Sequence, residues 1–135
     1  MMQSKILDTS FRSALSRMAK NRRLLTYDKP VDQHLEATAI LKKFDGREAI
    51  LFSAIKDNPI PVVGNLLSSK ENCEAAFGLD FNGIRGLIQR AMNAPVEPIL
   101  VDNAPSQEVG LKSGFDIGRL LAAGFHAPAG AGPYI

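Results

Sequence analysis

The sequence has no tryptophan, one cysteine and two histidines in 135 residues. Each scarcity closes a class of function. The lone Cys73 cannot form an internal disulfide, so the chain is not a disulfide-framed secreted scaffold, and a cytoplasmic setting is the expectation. With His34 and His126 as the only imidazoles, a metal site draws on two of them at most. No apolar run approaches the ~20 residues of a membrane span. Met1-Met2-Gln3-Ser4-Lys5 lacks the basic region and apolar block of a secretory signal. A net charge of +2 is too small to imply an anionic partner.

What is present reads as one domain over residues 1–135. The apolar fraction of 45% and charged fraction of 22% are those of a globular protein. A chain of this length buries roughly two-thirds of its unfolded surface, enough for a true core. The charge is uneven, with Arg12, Arg17, Lys20, Arg22 and Arg23 crowding the first quarter. These bases read as the solvated face of a helix. The competing reading is a phosphate-facing patch, but no aromatic residues alternate with them as single-strand stacking requires.

Periodicity orders the chain. Phe11, Ala14, Leu15 and Met18 recur at helical spacing and predict a helix over Thr9–Arg22, capped by Ser10. Leu24–Tyr27 predicts a strand ended by Asp28-Lys29-Pro30. A second helix follows with Asp32 as its cap and Gly46 as its stop. Glu48–Phe52 and Ile60–Val63 predict strands around the turn residues Asp57-Asn58-Pro59. Ser68 with Glu71 offers a capping box for a short helix stopped by Gly78. Asn82 offers the cap of another, lined by Ile84, Leu87, Ile88 and Ala91 and ended by Pro95. Pro98–Val101 and Gln107–Lys112 read as extended, with a turn near Asp116–Leu121. The resulting order, α-β-α-β-β-α-α-β-β, predicts an α+β fold: a mixed sheet with helices packed on it.

Few motifs carry chemistry. His34-Leu35-Glu36 matches the H-x-E of zinc deaminases, but one cysteine excludes the P-C-x-x-C that chemistry needs, and His34 reads as a surface residue. Gly130-Ala131-Gly132 is followed by Pro133 and opens no helix, so it is no dinucleotide fingerprint. Cys73, among Ala75, Ala76 and Phe77, reads as a buried inert thiol. Glu36, Glu48 and Glu108 read as surface or cap residues. No set of residues declares an active site.

Four segments in order nevertheless resemble a family. They are Val31-Asp32-Gln33-His34-Leu35-Glu36; Pro61-Val62-Val63-Gly64-Asn65-Leu66 with Ser68-Ser69; Ala104-Pro105-Ser106-Gln107-Glu108-Val109; and Gly130-Ala131-Gly132-Pro133-Tyr134-Ile135. Together they resemble the N-terminal domain of the UbiD-family decarboxylases, enzymes that remove or add carboxylate groups on aromatic and unsaturated acids. The sequence departs from the family at Ser106, where Cys is common, at Leu121, where Pro is common, and at Gly130, where an acidic residue is usual.

The resemblance implies a carboxy-lyase whose cofactor is prenylated FMN with a divalent metal, Mn. The flavin acts as electron sink for the carbanion left by decarboxylation. It also implies that the flavin site, the metal ligands and the catalytic acids lie beyond Ile135. No catalytic, cofactor or metal residue is therefore assigned within the chain. Gly132, Pro133, Tyr134 and Ile135 are expected to lead toward the flavin pocket. The implied partner is the flavin-binding and C-terminal portion, or a separate large subunit, with homo-oligomers also open. Ala127–Ile135 is expected to be ordered only where another molecule holds it. Two other readings stand beside a UbiD-like fragment that is inactive alone: a stand-alone assembly or regulatory domain, and a nucleic-acid module using the N-terminal bases. The expectation is no nucleic acid and no membrane span.

Overall fold

The computed structural model describes residues 8–116. Helix α1 (Phe11–Lys20), strand β1 (Leu24–Tyr27), helix α2 (Glu36–Lys43) and strands β2 (Ala49–Phe52) and β3 (Val62–Gly64) come first. Helices α3 (Lys70–Phe77) and α4 (Phe81–Asn93) follow, with a single 3-10 turn at Pro105–Gln107. The sheet order is β1-β2-β3, parallel between β1 and β2 and antiparallel between β2 and β3. This is the α+β mixed sheet the periodicity predicts.

Strand β2 organises the core because its alternation serves two layers. Ala49 packs with Met18 of α1 and Ala75 and Ala76 of α3. Ile50 and Phe52 point the other way, where Ala37, Ile40 and Leu41 of α2 join Val31 and Ile55. The sheet is thus sandwiched, with α1 and α3 on one face and α2 on the other. Phe52 is fully buried, worth about 1.5–3 kcal/mol. The Tyr27 ring meets it edge-on at 5.9 Å. At Gly64 the strand passes directly under Leu41. A Cβ added there would lie 2.6 Å from Leu41 Cδ1.

Element ends move where local chemistry competes with periodicity. Ser10 caps α1 as expected, accepting from the Ser13 N–H at 3.3 Å. The helix stops at Lys20, because Arg22 turns left-handed at φ 56. Asp32 does not cap α2. Its Oδ1 accepts from the His34 N–H at 2.7 Å, and the chain then passes through Leu35 at φ 70, so the helix begins only at Glu36. The cap of α3 is Ser69, which accepts from the Asn72 N–H at 3.1 Å, rather than Ser68 with Glu71. The cap of α4 is Asp80, accepting from the Gly83 N–H at 2.7 Å, rather than Asn82. Gly78 closes α3 in the left-handed region, and α4 ends before Pro95, both as predicted. Strand β3 is displaced toward Gly64 from the expected Ile60–Val63.

The expected strands Pro98–Val101 and Gln107–Lys112 are absent. Beyond α4 the described chain is irregular apart from the turn at Pro105–Gln107. A strand exists only through its partner, and no described segment offers these residues one. The Asp116–Leu121 turn, His126, and the terminal segment with Gly132, Pro133, Tyr134 and Ile135 lie outside the described residues, Asp116 itself excepted.

Candidate functional site

The residues with most chemistry gather where β3 turns into α3. Asn65 enters this turn left-handed, at φ 57, and its Nδ2 donates to the Leu41 carbonyl at 2.7 Å. Asn72, fully buried, fills the space below. Its Nδ2 donates to the carbonyls of Arg47 at 2.8 Å and Asn65 at 2.9 Å, and to Ser68 Oγ at 3.3 Å. Its Oδ1 accepts from Arg23 Nε at 2.9 Å. Arg23 continues to the Arg47 carbonyl at 3.1 Å and to Ser69 Oγ at 3.3 Å, and pairs with Glu48 at 3.9 Å. Every polar atom of the buried amide has a partner, as burial demands. The Gly64-Asn65 and Ser68-Ser69 segment is thus a structural knot, and Asn72 is the residue the periodicity misses. Its signal was the Ser69-x-x-Asn72 spacing.

The N-terminal bases divide. Arg17 turns inward, its Nε and Nη2 donating to the Ala76 carbonyl at 2.8 and 2.6 Å, at the negative end of α3. Arg23 is committed to the knot. Only Arg12, Lys20 and Arg22 of the five are exposed, and Arg22 lies past the end of α1, so the solvated face of a helix describes Arg12 and Lys20. Asp8 steadies the entry to α1, accepting from the Ser10 N–H at 2.9 Å and the Ser13 hydroxyl. Those bonds, the Ser13 hydroxyl first, hold its carboxyl down to about 2. Glu71 is likewise held below the usual carboxylate range, by its own backbone N–H and then by the Ser69 hydroxyl.

The other candidate residues are dispersed. His34 is exposed. Glu36 accepts from the Asp32 N–H at 2.8 Å and pairs with Lys56 at 3.9 Å. Glu48 bridges Arg23 and Arg47. Glu108 is exposed beside the 3-10 turn. Cys73 is half-buried rather than buried, its thiol 3.8 Å from the Leu67 carbonyl. Among the described residues no three His, Cys, Asp or Glu side chains gather as a metal would require. No helix there is long and apolar enough to cross a membrane. A cleft of about 560 Å³ between α1 and the sheet is mostly apolar, lined by Phe11, Leu15, Leu51, Pro61 and Val63 together with Ser10 and Arg12.

A parallel pair β1–α2–β2, an antiparallel β3, and a knot built on Asn65 and Asn72 form a combination that can be compared with known proteins. The family model for the 3-octaprenyl-4-hydroxybenzoate carboxy-lyase N-terminal domain matches residues 15–96, more than half of the chain. The chain belongs to this family, the UbiD N-terminal domains. Gallate decarboxylase of Lactiplantibacillus plantarum is 33% identical over 93 residues, covering 64% of this chain and 19% of that protein. An evolved dimeric form of the UbiD-class enzyme HmfF of Pelotomaculum thermopropionicum, solved with prFMN, superposes with a TM-score of 0.81 at 31% identity. The match covers 95% of this chain and 30% of that one. The apo 3,4-dihydroxybenzoic acid decarboxylase of Klebsiella pneumoniae gives 0.78 at 25% identity, covering 95% and 29%. This UbiD N-terminal domain thus spans less than a third of the length of these relatives.

Proposed function

We propose that this chain serves as the front domain of a UbiD-type carboxy-lyase acting on an aromatic or unsaturated acid, and that it is inactive alone. Its task is to present a rigid block to the flavin-bearing part of the enzyme, whether on the same polypeptide or in a separate subunit. The observation that supports this reading is the coverage: nearly all of this chain matches under a third of HmfF, a protein solved with prFMN.

The placement of the described polar residues supports this reading. Arg17 and Arg23, the half-buried bases, are spent on backbone carbonyls and Asn72, and the remaining N-terminal bases face solvent. Among the described residues no acidic or imidazole cluster stands ready for a divalent ion. In this reading the chemistry of the reaction falls to the rest of the enzyme, and this domain serves its assembly.

The test is a titration of the purified chain with prenylated FMN and Mn²⁺, followed by flavin absorbance and melting temperature. No saturable change is expected. A ligand at 100 times its Kd adds about 2.7 kcal/mol of stability. A gain of that size would overturn the reading and make the chain a flavoprotein in its own right.

A further inference from the structure

Asp45-Gly46 and Asn82-Gly83 carry a chemistry that needs no other molecule than water. The amide nitrogen of a residue can attack the side chain of an Asp or Asn that precedes it. Glycine has no Cβ to obstruct that approach. In an unfolded chain the Asn-Gly bond is the faster of the two to react. The fold reverses that order.

Asn82 and Gly83 lie in the first turn of α4, and the Gly83 nitrogen is already engaged. Its N–H donates to Asp80 Oδ1 at 2.7 Å, the bond that caps the helix. Attack on the Asn82 amide would break that bond and turn the Asn82 backbone out of its helical conformation.

Asp45 and Gly46 occupy the turn between α2 and β2. The Asp45 side chain is 57% exposed and pairs with Lys42 Nζ at 3.2 Å. Lys42 is itself exposed, and a pair so open to water does not immobilise the carboxyl. Gly46 is left-handed at φ 73, and beyond its chain neighbours no atom lies within 4 Å of the place a Cβ would take. Among the described residues its N–H donates to no acceptor, whereas those of Asp45 and Arg47 on either side both donate, at 3.3 and 2.9 Å. Carboxyl and nitrogen are adjacent and uncovered.

We propose that Asp45-Gly46 is a site of spontaneous isoaspartate formation, and that the capped Asn82-Gly83 is spared. The Gly46 nitrogen attacks Cγ of the protonated Asp45 carboxyl. The N–Cγ bond forms, the Cγ–OH bond breaks, and the hydroxyl leaves with the amide proton as water. Water then opens the five-membered imide. Addition at the main-chain carbonyl leaves the chain running through Cγ, as isoaspartate, and addition at Cγ restores aspartate. The mass returns to its starting value. The main chain gains a methylene two residues before Arg47, whose carbonyl accepts from Asn72 Nδ2 at 2.8 Å and from Arg23 Nη2 at 3.1 Å. The lengthened turn displaces that carbonyl, so the modification loosens the knot.

The test ages the full chain for several weeks in warm neutral buffer, and in parallel in urea that unfolds it. Isoaspartate is located by peptide mapping with isoaspartyl methyltransferase labelling, and deamidation by mass. In the folded chain, isomerisation at Asp45 should run severalfold faster than deamidation at Asn82, and in urea the order should reverse. Asp80→Ala should speed deamidation at Asn82 severalfold, because it frees the Gly83 N–H. Asp45→Glu should abolish labelling in that turn, and the fraction modified at Asp45 should melt below the unmodified chain. Deamidation at Asn82 outpacing isomerisation at Asp45 in the folded chain would overturn the inference. So would the same order in urea as in buffer, or labelling shared equally by Asp45, Asp57 and Asp102.

Discussion

Residues 8–93 and residues 94–116 are written in the same kind of amino acids and behave as two materials. In the first stretch Met18, Val31, Ile50 and Phe52 are sealed between helices and sheet. In the second Ile99, Leu100 and Val109, no less apolar, lie open. Hydrophobicity is therefore not what separates the core from the segment after α4. The separation comes from closure: β2 meets β1, β3 and helices on both faces, while residues 94–116 have a turn but no neighbouring strand among the described residues. An apolar sequence becomes a core only when the topology returns other apolar residues to it.

Breaking the closed region should cost most at Asn72. Asn72→Ala removes four side-chain hydrogen bonds, to Arg23, to the Arg47 and Asn65 carbonyls and to Ser68 Oγ, and leaves Arg23 Nε without its acceptor. A loss of about 3 kcal/mol or more is expected, read from urea unfolding. Gly64→Ala comes next. Its new Cβ would press on Leu41, costing about 1–3 kcal/mol. Adding Leu41→Ala should cost less than the two changes summed. At α4, Asp80→Ala should cost about 1 kcal/mol, whereas Asn82→Ala, exposed and inside the helix, should cost nothing. In the segment after α4, Leu100→Glu should change the stability of the isolated chain by less than about 0.5 kcal/mol. A loss of several kcal/mol there would erase the contrast between the two regions.

The smallest effect expected is acidic. Asp8 is depressed in the folded chain to about 2 from 3.8, so its contribution is fully present above pH ~4 and is lost as pH falls toward 2. The Asp8→Asn variant should therefore show a shallower decline in melting temperature between pH 5 and pH 2 than the parent. Equal slopes would mean that the Ser10 and Ser13 bonds to Asp8 do not persist in solution.

Most of the closed region was legible in the sequence. The helical spacing of Phe11, Ala14, Leu15 and Met18, the β2 run, and the stops at Gly78 and Pro95 are local signals, and local signals were enough. Cap positions slipped where two candidates stood close together. Asp80 and Asn82 both suit a helix start, and only the extended backbone at Asp80 decides between them. Asp32 looked like a cap because it binds a nearby N–H; it does, but in a turn before the helix. Asn72 and Arg23 could not be paired from sequence, since 49 positions separate them. The strands at Pro98–Val101 and Gln107–Lys112 fail for the same reason in reverse. Their propensity is local, but pairing is not. The four family segments gave the one functional signal, because no described residue bears chemistry alone.

Asn72 also bears on how long the folded domain lasts. Its side chain reaches Arg23, Arg47 and Asn65, which are 49, 25 and 7 positions away. The clasp can therefore close only after β1, the loop before β2 and the turn after β3 have all docked. Contacts completed that late are expected to form after the folding transition state, so that Asn72→Ala leaves the folding rate alone and speeds unfolding, with a φ-value near zero as the check. Asn72 is thus expected to act as a latch on the lifetime of the native state.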